Sequence, residues 1–311
     1  MRLQQLELIL ALTQTGSLRA AAEILNVSQP ALTKSLRQLE EELGTPLMIR
    51  SPRGMRLAPA GELLAARAAN VMREIQQARD DIAWHTREGT GSVKLGLSPG
   101  AAIHLTPAAI GRFEARWPQV RVHAIDTLYP TMLAQLRAGE IDLAIGPLPD
   151  GDIGHDLRLH PLFTSQHVIA ARKGHPLVHA RRLAALADAA WVLTGPEGGP
   201  GDPAHLGFTR FGLPSPHVRL VCESFATVLA LLPALDVLAV MPRRFFDRYG
   251  PRLGLGMLAI EDPLPCPTIH ILWRADGPLT VPAQRLRDVF IHEAELGHAA
   301  PDSDPGAPAP Q

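Results

Sequence analysis

Cysteine is nearly absent from this chain: 311 residues contain only Cys222 and Cys266. Two thiols make neither a disulfide framework nor a metal cluster, and a reducing cytoplasm is the compartment such usage suits. Net charge is missing too. Thirty Lys and Arg against 31 Asp and Glu leave −1, so no global basic field announces nucleic acid and any such partner must be met by local charge. Long apolar runs are also lacking. The most apolar stretch, Phe225 to Val240, is interrupted by Pro233 and Asp236 and is too short to cross a bilayer, so no membrane partner is expected. The opening residues carry Arg2, Glu7 and several glutamines, which reads as an amphipathic helix with Leu3, Leu6, Ile9 and Leu10 inward rather than a signal peptide. His175 and His179 are four apart, but Pro176 breaks the helix that would join them, and no metal site is expected. Gly195 to Gly201 lacks both the G-K-S/T of a phosphate loop and the spacing of a dinucleotide fingerprint, so no cofactor is expected either. No internal repeat is visible.

What is present is a globular composition, 46% hydrophobic, in a chain long enough for two or three domains. The most informative stretch runs from Ala21 to Arg56. Ser28 is placed to cap a helix from Gln29, with Pro30 in the first turn where its missing N–H costs nothing. Leu32, Leu36, Leu39 and Leu43 recur at helical spacing, so one stripe is buried, and Gly44 supplies a left-handed terminus. The opposite face carries Gln29, Thr33, Lys34, Arg37 and Gln38, donor-rich side chains near the helix N-terminus, the end that enters a major groove. Upstream, Ser17 caps a short helix with Leu18, Ala21, Ala22 and Leu25 as its packing face, and Asn26-Val27 forms the turn. Downstream, Leu47 to Arg50 and Met55 to Ala58 read as strands joined by Ser51-Pro52-Arg53-Gly54, which gathers Arg50, Arg53 and Arg56 on a wing able to reach phosphates or the minor groove. Residues 1–58 hold seven basic and five acidic side chains, a mild +2 that favours base and shape readout by an oligomer.

Ser28-Gln29-Pro30-Ala31-Leu32, Leu39-Glu40-Glu41-Glu42-Leu43-Gly44, Pro46-Leu47 and Arg50, closed by Leu57 and Gly61, resemble the winged helix-turn-helix of LysR-type transcriptional regulators. One departure is Ala58, where that family usually has Thr or Ser before the proline, so the next helix would start without its usual side-chain cap. That helix, from Gly61 to about Arg87, carries Leu64, Ala68, Val71, Ile75, Ala78 and Ile82 as a heptad seam. A narrow seam on a polar helix needs a partner helix, and the resemblance implies the linker through which these regulators dimerise.

After Gly89-Thr90-Gly91-Ser92, strands at Val93–Leu97, Val120–Ile125 and Leu143–Ile145 alternate with helices at Pro107–Arg116 and Met132–Ala138, which argues a parallel sheet. The same alternation restarts near Gln166, and a strand over Thr268–Trp273 and a helix over Val281–Glu295 close the chain. The expected fold is therefore α/β with an α-rich winged helix-turn-helix head. The resemblance implies a two-lobed, periplasmic-binding-protein-like effector domain. Its bounds would be 1–58 for the head, 59–88 for the linker helix and 89–297 for the effector domain. Lobe one takes 92–163 and 270–297, lobe two takes 164–269, and 298–311 reads as a Pro/Ala/Asp-rich disordered tail.

Ligands of open parallel sheets sit beyond the strands' carboxyl ends. Here those ends offer Ser98, Pro99 and Gly100, then Tyr129 and Thr131, then Gly146 and Pro147. The second lobe offers Thr194, Ser224, Phe225 and Met241, with Arg243 and Arg244 able to add charge. By position, Ser98, Tyr129, Thr131, Gly146, Thr194 and Ser224 match where the family contacts its inducers. The implied partners are promoter DNA, a small organic effector such as an aromatic or other anion, a second copy of the chain in a dimer or tetramer, and RNA polymerase if the protein activates. Gly96-Leu97-Ser98-Pro99-Gly100 also satisfies the nucleophile-elbow pattern of serine hydrolases. Pro99 has no N–H to offer an oxyanion, and the helical pattern starts only near Pro107, so no catalytic residue is assigned. A free-standing periplasmic binding protein would explain the lobes but not the first ninety residues.

Overall fold

A computed structural model describes residues 1–51, 54–86, 89–149, 151–200 and 202–299, the side chains of 50, 51, 298 and 299 excepted. The chain divides into two compact units, Met1–Ile82 and the remainder from Ala83.

The first unit contains α1 (Leu3–Thr15), α2 (Leu18–Ile24), α3 (Gln29–Leu43), the strands β1 (Met48–Ser51) and β2 (Gly54–Leu57), and most of α4 (Pro59–Thr86). Ser17 Oγ accepts from the Ala20 N–H at the start of α2, and Ser28 Oγ accepts from the Ala31 N–H at 3.4 Å at the start of α3. Asn26, at φ 58°, makes the turn between them; short amide side chains tolerate that left-handed backbone. Leu32, Leu36 and Leu39 pack with Leu8, Ile9 and Leu12 of α1 and with Ala21 and Ala22 of α2 in one core. Two inward assignments fail. Leu43, the last residue of α3, is 43% exposed beyond that core, and Leu3 is exposed at the start of α1 while Leu8 and Leu12 are buried instead. Helix α1 packs against α2, α3 and β2 together, which widens its buried face beyond one stripe.

Two close backbone approaches hold the wing. The Met55 N–H donates to the Gly16 carbonyl at 2.9 Å, and a Cβ on Gly54 would stand 2.9 Å from that same oxygen. Glu40 Oε1 accepts from the N–H groups of Leu47 and Met48, tying β1 to α3. Helix α4 starts at Pro59, two residues before Gly61, after the buried Ala58, which anchors the entry by donating its N–H to the Leu47 carbonyl and accepts the first helical bond from the Glu62 N–H.

The second unit alternates β3 (Gly91–Leu97), α5 (Pro99–His104), α6 (Thr106–Arg116), β4 (Val120–Asp126), α7 (Thr131–Ala138) and β5 (Leu143–Pro147). It continues with β6 (Leu157–Thr164), β7 (His167–Arg172), β8 (Ala190–Leu193), α8 (Pro203–Arg210), β9 (His217–Val221), α9 (Phe225–Leu231) and β10 (Ala239–Pro242). Last come α10 (Arg243–Tyr249), β11 (Leu255–Met257), β12 (Thr268–Arg274) and α11 (Val281–Ala299). The first sheet has the order β4-β3-β5-β12-β6, and β10-β7-β11 and β8-β9 form the second lobe's strands. The sheet is mixed rather than parallel. Strands β4, β3 and β5 run parallel, but β12 returns from the second lobe and enters antiparallel to both β5 and β6. Strand β6 escapes the sequence pattern because Pro161 lies in it; it is an edge strand with a register shift, where proline is tolerated. Helix α5 escapes because Pro99-Gly100 reads as a turn, although proline at a first helical position is favourable.

Lobe one closes around Val93, Leu95 and Leu97 of β3, Phe113 of α6, Ile271 of β12 and Phe290 of α11, so the last helix belongs to the first lobe. The two crossings between lobes meet where the Ser165 N–H donates to the Pro267 carbonyl at 2.9 Å. Strand β12 has already joined the first sheet at Thr268, so the second crossing lies before that residue.

Gly61 sits where an added Cβ would stand 2.1 Å from the Leu47 carbonyl oxygen, backbone that has nowhere to move. Gly61→Ala is expected to destabilise the first unit by about 2 kcal/mol or more, read as a lowered first transition in calorimetry of the full chain.

Candidate functional site

On the head, the side chains of Gln29, Lys34, Arg37 and Gln38 are exposed along one face of α3, opposite the buried leucines. Ser28 and Pro30 lie at its exposed start, where Ser28 serves as the cap. Thr33 is half-buried, and its hydroxyl donates to the Gln29 carbonyl at 2.9 Å. Arg56 is exposed on β2, whereas Arg53 and the Arg50 side chain lie outside the described residues. Two exposed apolar side chains before α3 were not expected: Ile24, at the end of α2, is 59% exposed and Val27, in the turn, 46% exposed. Nothing in the periodicity of so short a helix marks Ile24 as outward.

Along α4 the heptad positions differ. Leu64 packs against the head's core and Ala68 is buried, so these two are used within the unit. Val71 and Ile82 are strongly exposed, Ala78 is exposed and Ile75 half-buried, which leaves an apolar line on a polar helix.

The second candidate lies between the lobes of the second unit, in two adjoining depressions. The narrower is lined by Ser98, Leu128, Tyr129, Met132, Pro147, Thr194, Pro196 and Pro200. The wider adds Pro99, Gly100, Ser165, His167, Phe225, Val240, Pro242, Pro267 and Ile269. The structure thus brings together Ser98, Pro99, Gly100, Tyr129, Pro147, Thr194 and Phe225 from the expected set. Four others are placed differently. Met241 is 1% exposed in the second lobe's core, because side chains alternate along β10 and Val240 and Pro242 are the ones that face the cleft. Gly146 packs beneath the cleft, where a Cβ would stand 3.3 Å from Ser98 Cβ and 3.0 Å from Met132 Sδ. Ser224 caps α9 by accepting from the Thr227 N–H, and Thr131 begins α7 in an exposed position; neither lines the depressions. Arg243 and Arg244 do not line them either, and Arg243 Nε is 3.2 Å from Asp247.

Ser98 is 3% exposed and, among the described residues, its Oγ has no hydrogen-bond partner. Helix α5 starts directly after it, contrary to the expected start near Pro107, so half of the case against a nucleophile elbow falls and the missing Pro99 N–H carries the rest. His167, at the start of β7, is pushed down to about 4 by burial, which outweighs the approach of the Ser165 and Pro265 carbonyls. Its imidazole is neutral at pH 7. Burial lowers His175 and His270 as well. His175 Nδ1 accepts from the Leu177 N–H at 3.1 Å, and among the described residues no group of three or more His, Cys, Asp or Glu is arranged to hold a metal ion. Also among the described residues, no helix is long and apolar enough to cross a membrane.

Residues 3–62 match the family described as bacterial regulatory helix-turn-helix protein, lysR family, and residues 86–295 match the LysR substrate binding domain. The chain is 31% identical over 301 residues to the SDS degradation transcriptional activation protein of a Pseudomonas species, covering 94% of this chain and 96% of that protein. It is 27% identical over 272 residues to the transcriptional regulator TdcA of Escherichia coli, covering 87% and 86%. Among solved structures, full-length CbnR complexed with its target DNA has the same fold, with a TM-score of 0.71 at 20% identity over 95% of this chain and 99% of that one. A full-length OxyR from Pseudomonas aeruginosa has a TM-score of 0.65 at 25% identity, covering 95% of each chain.

The histidines whose proton affinity is lowered set a pH dependence. A histidine whose folded pKa lies below its unfolded value binds its proton more readily when unfolded, so stability is lost as pH falls from about 6.5 toward 4. His167 alone accounts for roughly 3 kcal/mol of that loss at pH 4. His167→Gln is expected to flatten the fall in melting temperature across this window, measured by differential scanning fluorimetry; an unchanged slope would contradict the assignment.

Proposed function

The chain belongs to the LysR family of DNA-binding transcriptional regulators, and from that premise we propose how its residues divide the work. Helix α3 enters the major groove with Gln29, Thr33, Lys34, Arg37 and Gln38 toward base edges, while Ser28 and Pro30 set its start. Arg50 and Arg53 of the wing reach phosphates or the minor groove. The observation that carries this reading is the capped, exposed polar face of α3 above a leucine stripe that is buried against α1 and α2.

Val71, Ile75, Ala78 and Ile82 of α4 pair with the same residues of a second copy, and a dimer presents two recognition helices to a two-fold operator. Contacts between effector domains extend the dimer to a tetramer. The effector is a small organic molecule held between the lobes by residues including Ser98, Tyr129, Thr194 and Phe225. Its differential affinity for two lobe arrangements biases the DNA-bound heads and so changes transcription, by contact with RNA polymerase where the action is activation. The protein works in the cytoplasm, where its promoter is, and is not an enzyme: the one serine placed like a nucleophile is followed by a proline.

Thr33→Ala combined with Arg37→Ala is expected to abolish specific retardation of the DNA upstream of the protein's own coding region, each lost base contact being worth about 1–3 kcal/mol. The oligomer mass should not change, and intact specific binding would remove α3 as the reading helix. Val71→Glu with Ile75→Glu places charge in the seam and is expected to lower the mass measured by light scattering to that of the monomer or of a smaller oligomer. An unaltered mass would mean that α4 does not dimerise the protein.

A further inference from the structure

The cleft has a chemical character that its position alone does not dictate. Among its 17 described lining residues none is Lys, Arg, Asp or Glu. Six are prolines, which offer no N–H to an anion: Pro99, Pro147, Pro196, Pro200, Pro242 and Pro267. Pro99 stands at the first position of α5 and removes one of that short helix's free donors. The strand-end segments that approach the cleft from the second lobe, 194–200 and 223–225, contain Glu197 and Glu223 as their only charged residues. A carboxylate or sulfonate desolvated here would meet no cationic side chain in the lining, and an unpaired buried charge is far costlier to hold than a neutral dipole.

The same surface does hold neutral polar groups without partners. Ser98 Oγ is buried and, among the described residues, unbonded, although buried hydroxyls are normally satisfied. His167 Nδ1 is likewise buried and, among the described residues, completes no hydrogen bond of good geometry, although the Ser165 and Pro265 carbonyls approach the ring, which is uncharged at neutral pH. Leu128, Phe225 and Val240 supply apolar surface around them.

We propose that the effector is an uncharged organic molecule, apolar over most of its surface, whose hydroxyl, carbonyl or amide group pairs with Ser98 Oγ. This reverses the expectation of an anion, and it rests on the reading that the effector binds between the lobes.

The test is calorimetric titration of the full-length protein at pH 7.5 with matched probes: benzamide against benzoate, and cyclohexanol against cyclohexanecarboxylate. The neutral member of at least one pair should bind about tenfold or more tighter than its charged mate. Ser98→Ala should weaken that binding roughly fivefold, the worth of one hydrogen bond. The unliganded S98A variant should melt at or above the wild-type temperature, because the substitution removes a buried hydroxyl that has no partner in the empty protein. A residue needed only for packing would lower it. Charged probes binding as tightly as neutral ones would overturn the proposal while leaving the cleft as the effector site, and binding by no probe would also overturn it. Neutral binding unchanged in both S98A and Thr194→Val would place the ligand elsewhere and overturn the cleft reading itself.

Discussion

Burial of Leu32, Leu36 and Leu39 fixes the rotation of α3 about its own axis, and with it which side chains can face a duplex. Each fully buried leucine is worth about 2 kcal/mol against exposure, so turning the helix by one position would bury Thr33 or Arg37 and expose that stripe. Other devices refine the result without changing it. Ser28 and Gly44 set where α3 begins and ends, and Glu40 uses its carboxylate to hold the start of β1, so the wing is referenced to the same helix that carries the polar face. The Gly16 carbonyl receives the Met55 N–H from the other side. The head is thus a small core with its reading elements tied to one another through the Glu40 carboxylate and the Gly16 carbonyl.

The effector unit depends on a different constraint, the double passage of the chain between lobes. Because β12 returns to the first sheet and α11 packs beside β3, the first lobe is complete only with residues from both ends of the unit, whereas the second is one continuous segment between the crossings. The crossings pair at Ser165 and Pro267, and these two residues, with His167 and Ile269, enter the cleft wall. A proline-rich, uncharged lining at that point is compatible with a ligand stripped of water on all sides.

Local features were legible in the sequence because they are written locally. Caps, the leucine stripe, the left-handed Gly44 and the turn at Asn26 all depend on residues within a few positions of one another. The lost features are those that tertiary structure decides. Pro161 hides an edge strand, Pro99-Gly100 hides a helix start, and no local pattern announces that β12 runs antiparallel. The rule that ligands lie beyond strand ends located the cleft and named seven of its residues. It could not tell Met241 from Val240, since one residue along a strand is the difference between core and cleft, and it did not reach His167 or Pro267, which arrive by the crossings.

That the chain reads DNA as a symmetric oligomer is the claim most directly open to measurement, by selecting bound sequences from a random duplex library with the purified full-length protein. The account requires enrichment of two inverted half-sites whose centres are separated by about one helical turn, 10–10.5 base pairs, or a multiple of it. A library that emerges unenriched, or that converges on a single unpaired half-site, would contradict it.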